Sequence, residues 1–289
     1  MSDTAGAIAE RTVVVNGVRL ATVVNTVARA ALGRPPLIVL PAAGFTLGDY
    51  RQVLDAFAPE RRVAALDWPG FGASERPAVD AFAYSAQGYA DLLDGWLNAV
   101  GGTRVVLLGS GVGGAAAVRF ALARPQRVAG LVLVAPWGFG APGIGRAMAA
   151  RMLGSRWLLA QVESSLLSLA VGPANPATRQ VIAAHRAQST QRAQRAASTA
   201  AHAALWRADA LPAAHLAVAA RALQVPAIVI RGSLDPLFSA ADLRRASAAI
   251  GPHGALAVVL PGAGHLPFLQ QPEAFMRAVR GLLESVELG

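Results

Sequence analysis

Short, unbroken apolar runs alternate along the chain with stretches whose apolar residues recur at helical spacing. Arg11 to Thr26, RTVVVNGVRLATVVNT, holds two β-rich runs around Asn16-Gly17, a dipeptide suited to the type I′ turn of a hairpin. The chain is therefore expected to open with antiparallel strands. PLIVL (36–40), RVAALD (62–67), RVVLLG (104–109) and VAGLVLVAP (128–136) follow, with one helix predicted near Gln87 to Val100 and another from Gly113. Runs without polar alternation predict strands buried on both faces, as in a parallel sheet covered by helices.

From about Gly138 to Val218 the β runs stop. Leu158, Val162, Leu166 and Leu169 keep a helical stripe, Pro173 and Pro176 break it, and a helix is predicted to resume from Ala177 to Arg207. The alternation returns with VPAIVIRG (225–232), a helix near Ala240 to Ile250, ALAVVLPG (255–262) and a closing helix from Pro272. The pattern predicts a mostly parallel α/β sheet with an N-terminal antiparallel hairpin and helices on both faces. Residues 1–137 and 219–289 form the expected core domain, and 138–218 an inserted helical cap.

Composition narrows the picture. A chain of 289 residues has room for one large domain with an insertion. It is 54% hydrophobic and 15% charged, yet no run approaches the roughly 18 to 20 apolar residues of a membrane span. The start, MSDTAGAIAERTVVV, has early acidic residues and no basic segment leading into an apolar one, which points to the cytoplasm rather than to secretion. Arginine alone carries the net charge of +9, since the chain has no lysine, and lysine Schiff-base chemistry is thereby excluded. The arginines are dispersed without aromatic interleaving, so nucleic acid is not an expected partner. Without cysteine there are no disulfides or thiolate nucleophiles. His185 and His202 are too far apart for a helical metal pair, and neither a metal nor a cofactor is implied.

Candidate chemistry begins at LLGSGVGGAAAVRFA, Leu107 to Ala121, which reads as strand, tight turn and helix. A nucleophile elbow, Gly-x-Ser-x-Gly, needs small residues two before and two after its serine. Centred on Ser110, the flanks would be Leu108 and Val112, which would crowd the turn; centred on Gly111, they are Gly109 and Gly113. Gly111 thus occupies the nucleophile position and has no side chain to attack with. Asp235 in RGSLDPLF and His265 in PGAGHLPF each follow a strand, in the order of a Ser…Asp…His site. Such an acid would fix the imidazole tautomer and stabilise its protonated form.

With LPAAGF (40–45), DWPGFGASERP (67–77) and QQPEAF (270–275), these segments resemble the α/β-hydrolase superfamily from about Arg11 to the C-terminus, 138–218 corresponding to its variable cap. The resemblance implies Asp235 and His265 as acid and base, and the backbone amides of Val112 and of Ala42 or Ala43 as an oxyanion hole. Two departures stand out: Pro41-Ala42 replaces the usual His-Gly, and Gly111 replaces the nucleophile. The expected protein acts on a small to medium apolar carbonyl compound, an ester or lactone, through a His-Asp base without an acyl intermediate, in hydrolysis, elimination, isomerisation or ring closure. The alternative is a non-catalytic small-molecule-binding scaffold. Ser110, Trp157, Leu158 and Val162 are the candidate substrate-lining residues, with packing the competing role for each. Tyr50 and Trp68 either edge the pocket or pack in the surface.

Overall fold

The computed structural model describes residues 6–26, 33–141, 143–188, 192–209, 211 and 215–288. β1 (Ile8–Val15) and β2 (Val18–Asn25) pair antiparallel, with Val15 opposite Val18 across the Asn16-Gly17 turn. Both turn residues have positive φ, +50° and +81°, as the hairpin pattern requires. β3 (Leu37–Leu40), α1 (Arg51–Phe57), β4 (Val63–Leu66), α2 (Ala86–Val100), β5 (Val105–Ser110), α3 (Val112–Ala123) and β6 (Val128–Val134) follow. Among the described residues the eight strands form one sheet, ordered β1-β2-β4-β3-β5-β6-β7-β8, and parallel from β4 onward.

Among the described residues four α-helices stand between β6 and β7: α4 (Ile144–Leu153), α5 (Arg156–Val171), α6 (Pro176–Gln188) and α7 (Arg192–Asp209). Of the helix predicted over Ala177–Arg207, the described residues form α6 up to Gln188 and α7 from Arg192, and 189–191 lie outside the described residues. The break at Pro173 and Pro176 is real. α5 stops against Gly172 at φ +79°, and Pro176 serves as the first residue of α6, where its missing N–H costs nothing. The chain closes with β7 (Ala227–Gly232), α8 (Ala240–Ala249), β8 (Leu256–Leu260) and α9 (Pro272–Leu288).

Alternation along the strands divides the core. Ile38, Leu40, Leu107, Leu131 and Leu133 face α2, α3 and α8, whereas Leu37, Val39, Val106, Leu108 and Val132 face α1 and α9. Strands β3 to β6 are buried at every position, hence their unbroken apolar sequences. β8 departs from that rule: it is the sheet's edge, and Leu256 and Val259 are exposed. The chain leaves β3 toward one edge and β5 toward the other. This reversal opens a crevice at the strands' C-terminal ends, where open α/β sheets place ligands.

Candidate active site

The turn from β5 into α3 crosses β3 at close range. A Cβ on Gly109 would lie 2.5 Å from the Gly113 carbonyl oxygen, and one on Gly113 would run into the Leu40 and Pro41 carbonyls. Both positions therefore exclude any side chain. Gly111, between them, has φ +51° and ψ −118°, the conformation of an elbow, and caps the N-terminus of α3. A Cβ there would meet Ala42 Cβ at 3.3 Å and Trp137 Nε1 at 3.5 Å, a tight fit without a backbone collision. The position tolerates a side chain and carries none.

β7 and β8 deliver the pair. His265 Nδ1 is 2.9 Å from Asp235 Oδ2, and both residues are buried. The backbone amides of Leu237 and Phe238 donate to Asp235 Oδ1 at 2.8 and 3.1 Å. The His265 backbone amide donates to Ala170 O at the end of α5, so the imidazole's loop rests on the inserted helices. His265 Nε2 makes no hydrogen bond among the described residues, and the ring lines a cavity of about 500 Å³. That cavity also touches Ala42 and Ala43.

The two expected donors after β3 differ. The Ala42 amide is taken, donating to the Tyr50 hydroxyl at 3.0 Å. The Ala43 and Val112 amides have no acceptor among the described residues; Ala43 lines the cavity that holds His265, and Val112 does not. Tyr50, wholly buried, is thus a structural clamp on the loop; burial raises its phenol well above the ordinary value, opposed by Ser110 and Ala42. Ser110 points away from the cavity. Its buried hydroxyl meets no partner at hydrogen-bond geometry, although the Tyr50 phenol is near enough to interact weakly. Trp68 is fully buried, stacked 4.4 Å from Tyr89 with its Nε1 donating to Pro41 O, and does not edge the cavity.

The expected lining by Trp157, Leu158 and Val162 is not what the structure brings together. Trp157 is 72% exposed, and the other two lie outside the cavity wall. The cavity meets only the C-terminal half of α5, where Glu163, Leu166, Leu167 and Ala170 line it; Leu166 belongs to the expected stripe, and Leu158 and Val162 lie in the turns before it. The wall is also more polar than a stripe of leucines suggests. Glu163 accepts from Thr199 Oγ1 at 2.9 Å and sits 3.3 Å from His202 Nδ1. Burial alone would raise its carboxyl, but hydrogen bonds from His202 and Thr199, with the charge of Arg195, hold it below the usual value. His185 Nε2 lies 2.9 Å from Asp49 Oδ2, tying α6 to the core. These histidines are in carboxylate pairs across separate elements, which sequence spacing does not reveal. Among the described residues no cluster of His, Asp or Glu could hold a metal, and no helix is long and apolar enough to cross a membrane.

A glycine-bracketed elbow, two backbone amides without an acceptor among the described residues and a His-Asp pair after successive strands lie at the C-terminal ends of a mostly parallel sheet. The sequence pattern of the alpha/beta hydrolase fold matches residues 35–272, and the chain belongs to that family. It is 37% identical over 105 residues to the 1-acylglycerol-3-phosphate O-acyltransferase ABHD5 of Sus scrofa, covering 36% of this chain and 30% of that protein. It is 32% identical over 107 residues to the human (lyso)-N-acylphosphatidylethanolamine lipase, covering 37% and 31%. The chain thus matches about a third of the length of either relative. Its fold resembles an esterase from Thermogutta terrifontis (TM-score 0.76, 23% identity, 96% of this chain and 99% of that one). It also resembles the enol-lactonase from Burkholderia xenovorans LB400 (TM-score 0.74, 24% identity, 95% and 100%).

Proposed function

We propose that this protein hydrolyses a small to medium ester or lactone by general-base catalysis, without an acyl-enzyme. The observation that carries this reading is the intact His265–Asp235 pair beside a cavity at an elbow whose residue 111 is glycine. His265 Nε2 takes a proton from a water molecule as that water's oxygen bonds to the substrate carbonyl carbon. The resulting oxyanion accepts from the Ala43 and Val112 amides. The C–O bond to the leaving group then breaks, and the alkoxide recovers the proton from His265. Asp235 holds the ring in the tautomer that leaves Nε2 free to accept. The helices of 138–218 act as the cap that closes this chamber. A binding scaffold without turnover is the second reading, favoured by the same missing nucleophile.

The test is a panel of p-nitrophenyl esters and lactones with the wild type and His265→Ala, each first shown to be folded by circular dichroism. General-base catalysis predicts a loss of about 10²-fold or more in the variant. A serine-directed phosphonate should leave the wild type unlabelled. Equal rates in both proteins hand the site to the binding reading.

A further inference from the structure

Along α7, Gln194, Arg195, Ser198, His202 and Trp206 all face the cavity, and their spacing puts the last four on one side of the helix. The stripe is polar at its N-terminal end and aromatic at the other. Trp206 lies 4.9 Å from Trp137, whose Nε1 borders the space above Gly111, and His202 abuts Gly44 in the loop after β3. The helical rise sets Arg195 about 10 Å along the axis from His202.

Arg76 reaches the polar end from the core. Its guanidinium donates to Ser198 Oγ at 3.1 Å, Ser74 O at 3.1 Å and Gly72 O at 2.6 Å, all neutral acceptors. Neither Arg76 nor Arg195 forms an ion pair among the described residues. The acid nearest this end of the wall, Glu163, is already committed to Thr199 and His202. Arg76 and Arg195 therefore line the same cavity as His265, together with Leu166, Leu167, Leu237 and a third guanidinium, Arg186.

We propose that the cavity takes an amphiphile bearing an oxyanion group, carboxylate or phosphate, seated at Arg76 and Arg195, with its apolar chain along the leucines and its carbonyl beside Gly111. Guanidinium groups with no carboxylate in ion-pair contact, and only the longer-range charge of Glu163 near Arg195 and of Asp67 near Arg76, favour such an anion through charge-assisted hydrogen bonds. The anion end stands on the arginines alone; the placement of the carbonyl rests on the hydrolytic reading.

The test is isothermal titration with monomethyl sebacate, which carries an ester at one end and a carboxylate at the other, with neutral dimethyl sebacate, and with octyl phosphate. The wild type is expected to bind the half-ester about tenfold more tightly than the diester. Arg195→Gln should remove most of that preference and weaken octyl phosphate similarly, while the diester is unaffected. Arg244→Gln, an exposed position on α8 outside the cavity, controls for net charge and should change nothing. The tighter of the two anions identifies the headgroup. Equal affinity for half-ester and diester, binding of neither anion, or an equal loss in Arg244→Gln overturns the proposal. Binding requires no turnover, so a protein that prefers anions yet cleaves no ester refutes the hydrolytic reading alone.

Discussion

Both carboxylate oxygens of Asp235 are engaged, Oδ2 with His265 Nδ1 at 2.9 Å and Oδ1 with the Leu237 and Phe238 amides. Asp235 therefore shapes its own loop as well as orienting the histidine. Asp235→Ala leaves two amides without their acceptor and should cost about 2 kcal/mol or more in urea unfolding. Asp235→Asn keeps an oxygen for those amides and should lose clearly less stability, while lowering ester turnover as far as the alanine variant does. Equal destabilisation by the two would show that the amides do not depend on Oδ1.

Gly111→Ser should install covalent catalysis. Its Cβ needs Ala42 to give by only a few tenths of an ångström, and φ +51° makes serine cost about 1 to 3 kcal/mol relative to glycine. A rapid burst of p-nitrophenol should appear in the variant and vanish on adding His265→Ala. A folded variant that shows no burst across a broad ester panel would mean that His265 Nε2 does not reach the new hydroxyl.

Asp67, at the end of β4, is raised by burial to about 6 from 3.8, despite hydrogen bonds from the Leu47 and Ala73 amides and the charge of Arg76. Between those pH values the folded protein holds a proton that the unfolded chain releases. This group's contribution to stability is therefore greatest below about pH 4 and falls as pH rises through 6. Asp67→Asn removes that slope. Relative to the wild type, the variant should gain up to roughly 3 kcal/mol between pH 4 and pH 7 in urea unfolding. A difference independent of pH would overturn the assignment.

Trp157 and Trp206 should separate cleanly. Trp157→Ala, at an exposed position, should leave affinity for dimethyl sebacate unchanged and shift stability by no more than about 0.5 kcal/mol. Trp206→Ala removes an aromatic wall against Trp137 and should weaken the same ligand by about 1 to 3 kcal/mol. The reverse order would place the ligand on the outer face of α5.

The sheet was legible because β3 to β6 are buried on both sides and so have no polar alternation to confuse the reading. The Asn16-Gly17 hairpin and the glycines at 109 and 113 were legible for another reason: positive φ in the turn and backbone packed against the elbow restrict which residues fit there. The cap was not. The stripe through Leu158, Val162 and Leu166 gave the face of α5, but not how far along the helix the cavity reaches, which depends on the neighbouring elements: it takes in Leu166 and stops short of Val162. The pairs Glu163–His202 and Asp49–His185 join residues 39 and 136 positions apart, and local pattern has no access to such distances. Ala42 illustrates a finer limit, since only the fold shows that Tyr50 has claimed its amide.

The close approach of α3 to the end of β5 and to the end of β3 demands glycine at 109 and 113 whatever occupies 111. Selection for folding alone therefore maintains an elbow that no nucleophile uses. In the genetic code GGT and GGC differ from AGT and AGC by one base, so glycine and serine at this point are mutational neighbours. The turn is therefore one base change away from carrying a hydroxyl at residue 111, with the flanking glycines that such a turn needs already in place.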